Sequence, residues 1–271
     1  MHLMGGEWEE LRRAIARIAG EAAGLLRDLS CDEAYTRRER GETIRADLES
    51  EEYVIDALKS EGFGGTLVTE ERGLVRLGGS GPVFVLDPLD GSTNYASCIP
   101  WASVSLAAAP PGARRLSEVV AGAVAPVFYG EIISFSRGSG CRLGEAPIVG
   151  PASGSRMLYV YVEHPEAAMG LARITRSLGG LKVRSLGSAA LEMAYTAIGR
   201  GYAFVDLRSK LRNVDTAAAL GMTIECGGSA LGPGGAPLDA GLDGVERVGS
   251  VISSHDPRVP GKILEVLGGG R

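Results

Sequence analysis

The chain has 271 residues, a formal net charge of −5 and a pI near 5.4. That length allows one large or two ordinary soluble domains, and the acidic balance argues against a nucleic-acid or anionic-membrane binder. No apolar run approaches the roughly 20 residues of a membrane span. The N-terminus "MHLMGGEWEELRR" lacks the apolar core of a secretory leader, so a cytoplasmic protein is expected.

The first element in chain order is a long amphipathic helix with Leu11, Ile15, Ile18, Ala22 and Leu25 at helical spacing. "ADLESEEYVIDALKSEGF" predicts a second, with Leu48, Val54, Ile55 and Leu58 inward and Gly62 as its stop. "TLVTEE", "VFVLD" and "ASVSLAAA" read as strands, and "EVVAGAVAPVFYGEIISFSR" as a hairpin turning at Tyr129–Gly130. Glycine, proline and serine cluster at residues 144–155, which suits a boundary between a domain of residues 1–150 and one of residues 151–271. Beyond it, strand "MLYVYVE" precedes a helix through Ala172. Then follow strand "LKVRSL", helix "SAALEMAYTAIG", strand "YAFVDL", helix "VDTAAALGMTIECG", strand "SVISS" and a terminal helix "RVPGKILEVL". The first half therefore reads as α+β and the second as α/β.

Cys31, Cys98, Cys141 and Cys226 lie far apart and form no CxxC pair, so neither a disulfide framework nor a zinc site is expected. Cys141, in "GSGCRLG", reads as part of a glycine-rich turn rather than a nucleophile loop. Glutamine is absent, and arginine outnumbers lysine 24 to 4. Scarce amides fit a protein that works hot, although GC-rich coding also favours arginine.

The acidic residues carry the chemistry. In "VFVLDPLDGSTNY" a buried-looking strand runs into Asp87 and Asp90, with Pro88 fixing the backbone between them. Gly91 permits a tight turn, and Ser92 and Thr93 supply hydroxyls and backbone N–H groups suited to a phosphate oxygen. Carboxylates beside a phosphate cradle repel phosphate unless a divalent cation lies between them. A turn with Asx capping is the plain alternative. Glu70 and Glu71 end the preceding strand, where a solvated charge pair is the competing reading. Asp215 stands in the first turn of a small, apolar helix, where it also suits the helix dipole. Three acidic sites at element ends together point to one metal cluster.

With "DPLDGSTN", the upstream "TEE" and the downstream "VDTAAA" in order, the chain resembles the inositol monophosphatase-like family of lithium-sensitive, magnesium-dependent phosphatases. "GETIRADLESEE", with Thr43 and Asp47, and "SLGSAALEMAYTAIGRGYAFVD" extend the resemblance over roughly residues 8 to 260. The resemblance implies a layered α/β/α/β/α sandwich with the active site between the halves. It implies Glu70, Asp87, Asp90, Asp215 and the Leu89 carbonyl as metal ligands, and Gly91, Ser92 and Thr93 as phosphate binders. Asp47 and the Ser92 hydroxyl would orient the attacking water. Two or three Mg²⁺ per site are implied, with Mn²⁺ as an alternative. Gly187, Ser188 and Ala189 would wall the substrate, and a homodimer or dimer-based tetramer is expected.

Inositol-dedicated members of the family carry a glutamate seven residues before the last metal aspartate, where this chain has Arg208. Arg208, Lys210 and Arg212 all precede a helix N-terminus, a place that disfavours cations unless an anion compensates. The metal carboxylates or a second substrate phosphate would supply one; a solvated basic loop is the alternative. A second phosphate points to fructose bisphosphate, and the archaeal branch of the family acts on both esters. The expectation is thus a dual inositol monophosphatase and fructose bisphosphatase. Phosphoadenosine-phosphate or NADP phosphatases, and a catalytically silent regulatory or scaffold protein, are the alternatives.

Overall fold

The computed structural model describes residues 4–29, 45–150 and 154–268. Helix α1 (Met4–Asp28) and helix α2 (Arg45–Ser60) lead into strands β1 (Gly65–Thr69), β2 (Gly73–Gly78) and β3 (Val83–Asp90). After the short helix α3 (Ser92–Ala96) come β4 (Ser103–Ala109), β5 (Ala121–Pro126), β6 (Ile133–Ser136), β7 (Gly140–Leu143) and β8 (Ala146–Pro147). The second half runs β9 (Met157–Tyr161), α4 (Pro165–Leu178), β10 (Lys182–Arg184), α5 (Ala189–Ala197) and β11 (Ala203–Arg212). It closes with α6 (Asn213–Glu225), β12 (Ser229–Leu231), β13 (Arg247–Ser254) and α7 (Val259–Gly268).

The first eight strands form one sheet in the order β2-β1-β3-β4-β5-β6-β7-β8, and the other five form a second, β10-β9-β11-β13-β12. Alternation along each strand feeds two different layers. On the first sheet Phe84 and Leu86 pack under α1 and α2 with Ile15, Ile18 and Val54. Val83 and Val85 face the other way, toward Ala190, Met193, Val214 and Ala218 of α5 and α6, which also meet Phe204 and Val251 of the second sheet. Leu158, Val160 and Val205 on the outer face of that sheet pack on Ile174 of α4 and Ile263 of α7. The result is the expected α/β/α/β/α sandwich, with the small residues of α5 and α6 allowing the two sheets to close on them.

Several local expectations shift. The inward stripe of α1 ends on Leu26, which is fully buried, while Leu25 is half-buried. Leu48 is also only half-buried, because α2 turns Asp47, Ser50 and Glu51 inward. The helix expected to stop at Ala172 continues to Leu178. Strand β2, not expected, is an edge strand whose residues are half-buried or exposed in alternation.

The disulfide expectation is overturned. Cys141 and Cys226 are joined, with their Cα atoms 6.0 Å apart, and Cys98 is also disulfide-bonded. Cys141 lies on β7 rather than in the glycine turn, which occupies the residues just before it. Sequence spacing gave no sign of the pairing, because the contact is made by α6 crossing the first sheet.

Candidate active site

The parallel register of β1 on β3 pairs Thr69 with Leu86, which sets Glu70 beside Asp87. The turn carrying Glu70 is held from α2 by the buried Glu51. Its carboxylate accepts the Thr69 hydroxyl at 2.7 Å and the Arg72 backbone N–H at 3.2 Å, and pairs with the Arg72 side chain at 2.9 Å. Nothing in the local sequence distinguishes Glu51 from a surface helix glutamate.

Residues three apart on a regular strand point to opposite faces. Asp87 pairs with Ser105 and Asp90 with Ser103, so β3 carries one extra residue at this point. Pro88, which has no N–H to donate, sits in that bulge. The extra residue returns Asp90 to the side of Asp87, and both line one cavity of about 280 Å³. Of the expected site residues, all but Asp47, Ser188 and Lys210 line this cavity, and Tyr161, Ser185 and Leu211 join them.

The carboxylate oxygens of Glu70, Asp87 and Asp215 all lie within 4.8 Å of one another. Asp215 reaches the cluster from the first turn of α6, where it also accepts the Arg212 backbone N–H at 2.7 Å. Asp90 is engaged differently. It accepts the Ser188 hydroxyl at 2.6 Å and the N–H groups of Ala189 and Ala190 at 3.0 and 2.8 Å, and so caps α5. Ser188 and Ala189 thus act on Asp90 here. Asp47 is buried in the first turn of α2, and Thr43 lies outside the described residues.

Gly91 is left-handed (φ 93°), and a Cβ there would lie 3.0 Å from the Trp101 carbonyl and 3.1 Å from that of Gly187. The chain then enters α3, whose first N–H groups, at Ser92 and Thr93, have no helical acceptors of their own. Asn94 donates to the carbonyls of Leu186 and Trp101 at 2.6 and 2.8 Å, which ties this turn to the segment that leads into α5.

Burial, followed by repulsion from Glu70, Asp90 and Asp215, pushes the Asp87 pKa well up. Burial likewise raises Asp90 to about 7, against the opposing Ser188 hydrogen bond. Asp215 is raised by burial despite Arg212. Arg212 donates to Glu70 at 2.6 Å and Asp215 at 3.2 Å. Burial opposes its charge, but Asp215 and Glu70 outweigh that and hold its pKa above the ordinary value. Four carboxylates against this one guanidinium leave an excess of negative charge with oxygen donors only. Such a set fits a hard divalent cation held by Glu70, Asp87 and Asp215.

The three basic residues are not a solvated loop. They lie on β11, which bulges against β13 between Asp206 and Leu211, with Ser209 at φ 58°. The compensating anions come from the protein: Glu70 and Asp215 for Arg212, Asp206 and Glu163 for Arg208, and Glu163 for Lys210. Tyr161 and Glu192 are further participants with no sequence signal. Tyr161 donates its hydroxyl to the buried Glu192, which also accepts the Leu186 N–H at 2.9 Å.

A five-layer sandwich that gathers acidic strand and helix ends beside the start of a helix fits a class of metal-dependent phosphatase. The comparisons agree: the sequence profile of the inositol monophosphatase family matches residues 7–264, and the chain belongs to that family. It is 48% identical to an inositol-1-monophosphatase of Aeropyrum pernix, over 92% of this chain and 94% of that one. It is 31% identical to a fructose-1,6-bisphosphatase/inositol-1-monophosphatase of Methanothermobacter thermautotrophicus, over 96% and 93%. The fold matches a Pyrococcus horikoshii protein described as similar to inositol-1 monophosphatase. The TM-score is 0.77 at 24% identity, covering 97% of this chain and 98% of that one.

Proposed function

We propose that the protein is a phosphoric monoester hydrolase acting on small sugar or polyol phosphates, with Mg²⁺ as cofactor and inositol monophosphate as the preferred kind of ester. The convergence of Glu70, Asp87 and Asp215 beside the start of α3 carries this reading. A bound divalent cation would supply Lewis-acid polarisation of the ester and a more acidic water. The chain's own part is positional. The free N–H groups at Ser92 and Thr93 receive the phosphate oxygens, the Ser92 hydroxyl and Asp47 orient the incoming water, and Arg212 fixes Glu70 and Asp215. Asp90, locked onto α5, joins the substrate wall to the carboxylate cluster.

Fructose 1,6-bisphosphate stands second, because Arg208 and Lys210 already have carboxylate partners. Nucleotide esters are disfavoured. Tyr195 stacks on Trp101 and Tyr202 lies beneath Arg156, neither of them lining the cavity, and the Tyr161 ring is covered by Arg208. The intact carboxylate set speaks against a silent scaffold.

The test is phosphate release by EDTA-treated protein, before and after Mg²⁺ is added, from inositol monophosphate, fructose bisphosphate, phosphoadenosine phosphate and NADP. Release only with metal, and greatest from the first ester, is expected. No release from any of them would refute the reading. We also propose a homodimer, supported by the exposed Ile99 and Tyr129 near an apolar hollow at Trp101, Phe128 and Tyr195. A 28.2 kDa species in light scattering at micromolar concentration would exclude it.

A further inference from the structure

Four charged side chains meet around Arg208, which lines the candidate cavity. Arg208 is clamped: its Nε donates to Asp206 at 2.9 Å, its Nη1 donates to Glu163 at 3.1 Å, and the guanidinium lies 4.1 Å from the centroid of the Tyr161 ring. Lys210 donates to the other oxygen of Glu163. Asp206, Glu163 and Lys210 are not among the residues that line the cavity, and act on it through Arg208. Asp206 and Glu163 against Arg208 and Lys210 make the group neutral. Asp206 is fully buried and bonded to the Arg208 backbone as well, so it is fixed in place. Glu163 is 39% exposed, and it is paired with these two cations.

We propose that Glu163 is a specificity-determining residue that neutralises the Arg208–Lys210 pair and thereby turns the site away from esters carrying a second phosphate. The inference rests on the phosphatase reading above and refines its substrate class. A phosphate brings about two negative charges. To use Arg208 it must approach the Glu163 carboxylate or displace it from both cations. A polyol ring brings hydroxyls, which can donate to a carboxylate and accept from a guanidinium, so it meets no such repulsion. The group therefore discriminates by charge and not by size.

Glu163→Gln keeps the shape and one acceptor while removing the charge. For wild type and variant, kcat/KM is measured on fructose 1,6-bisphosphate and on inositol monophosphate with Mg²⁺. Loss of one charge at a part-exposed site should raise the bisphosphate-to-monophosphate ratio about 3- to 10-fold at low salt, mainly through KM, and less at high salt. Glu163→Asp should return the ratio toward wild type, which a packing role alone would not do. An unchanged or lowered ratio in Glu163→Gln overturns the proposal. Calorimetric titration of both esters with Ca²⁺ in place of Mg²⁺ reads the same ratio as affinities. If neither ester is hydrolysed, the phosphatase reading falls, and the affinity ratio still decides the role of Glu163: a rise supports it and no change overturns it.

Discussion

Pro88 lets two carboxylates share one side of a strand. Without the bulge it occupies, Asp87 and Asp90 would face opposite layers, and one would be buried among apolar side chains. The bulge instead concentrates negative charge, so each carboxylate destabilises its neighbours when no cation is present. If Asp87 holds the metal as proposed, Asp87→Asn should lower turnover at saturating Mg²⁺ by at least about 100-fold. The amide oxygen can still accept the Leu89 N–H, so the turn survives. In EDTA the variant should melt at the same temperature as wild type or higher, because repulsion is relieved. Differential scanning fluorimetry with and without Mg²⁺ checks this, and near-normal kcat with a lowered metal-free Tm would contradict it. These carboxylates were legible in the sequence because strand ends do not carry paired acids without a cause. Glu51, Tyr161, Glu192 and Glu163 were not. Each acts through a partner at least 18 residues away, and only the folded register brings the two together.

Helix α5 shows how a whole element is set by buried acids at both ends of its first turn. Asp90 caps it from the first sheet, and Glu192, on its inward face, holds the Leu186 N–H and the Tyr161 hydroxyl. Burial is the largest influence on Glu192 and lifts its pKa from 4.5 to about 8, although the Tyr161 and Leu186 bonds oppose it. A folded pKa above the unfolded one means that the native state binds the extra proton. The stabilising contribution is then complete below pH 4.5 and is lost as pH rises through about 8. At saturating Mg²⁺, which on the proposed reading would occupy the Glu70–Asp87–Asp215 cluster and remove its similar contribution, denaturation midpoints of the wild type should fall from pH 5 to pH 8.5. Glu192→Gln should flatten that slope. Chemical denaturation at three pH values measures it, and parallel slopes for the two proteins would count against a protonated Glu192. Helices and central strands were readable from periodicity, since each buries a continuous apolar face. Edge strand β2 was not, because no layer covers both of its sides, and the basic end of β11 looked like a loop because its bulge breaks alternation.

At the scale of the whole molecule, α6, like α5, packs against both sheets. Its N-terminus carries Asp215 to the acidic cluster of the candidate site, and its C-terminal cap is Cys226, bonded to Cys141 on the first sheet. The bond closes a loop of 85 residues that includes β9 and β11 of the second sheet. Cross-linking a loop of that length restricts the unfolded chain by up to about 4–5 kcal/mol in the chain-entropy description. The docking does not depend on the bond alone: Glu225 accepts the N–H groups of Gly138 and Gly140, each at 2.9 Å, so the β6–β7 turn stays on α6 after reduction. Replacing both cysteines by serine should leave the fold intact and lower Tm by about 6–15 °C. Reductant should lower wild-type Tm further than that of the variant, which keeps only the disulfide at Cys98 to lose. Activity at moderate temperature should change little, because Asp215 sits near the opposite end of a 13-residue helix, about 15 Å away. Equal melting of variant and wild type under oxidising conditions would show that the β7–α6 seam opens after the rate-determining loss of structure, leaving the cross-link nothing to restrain.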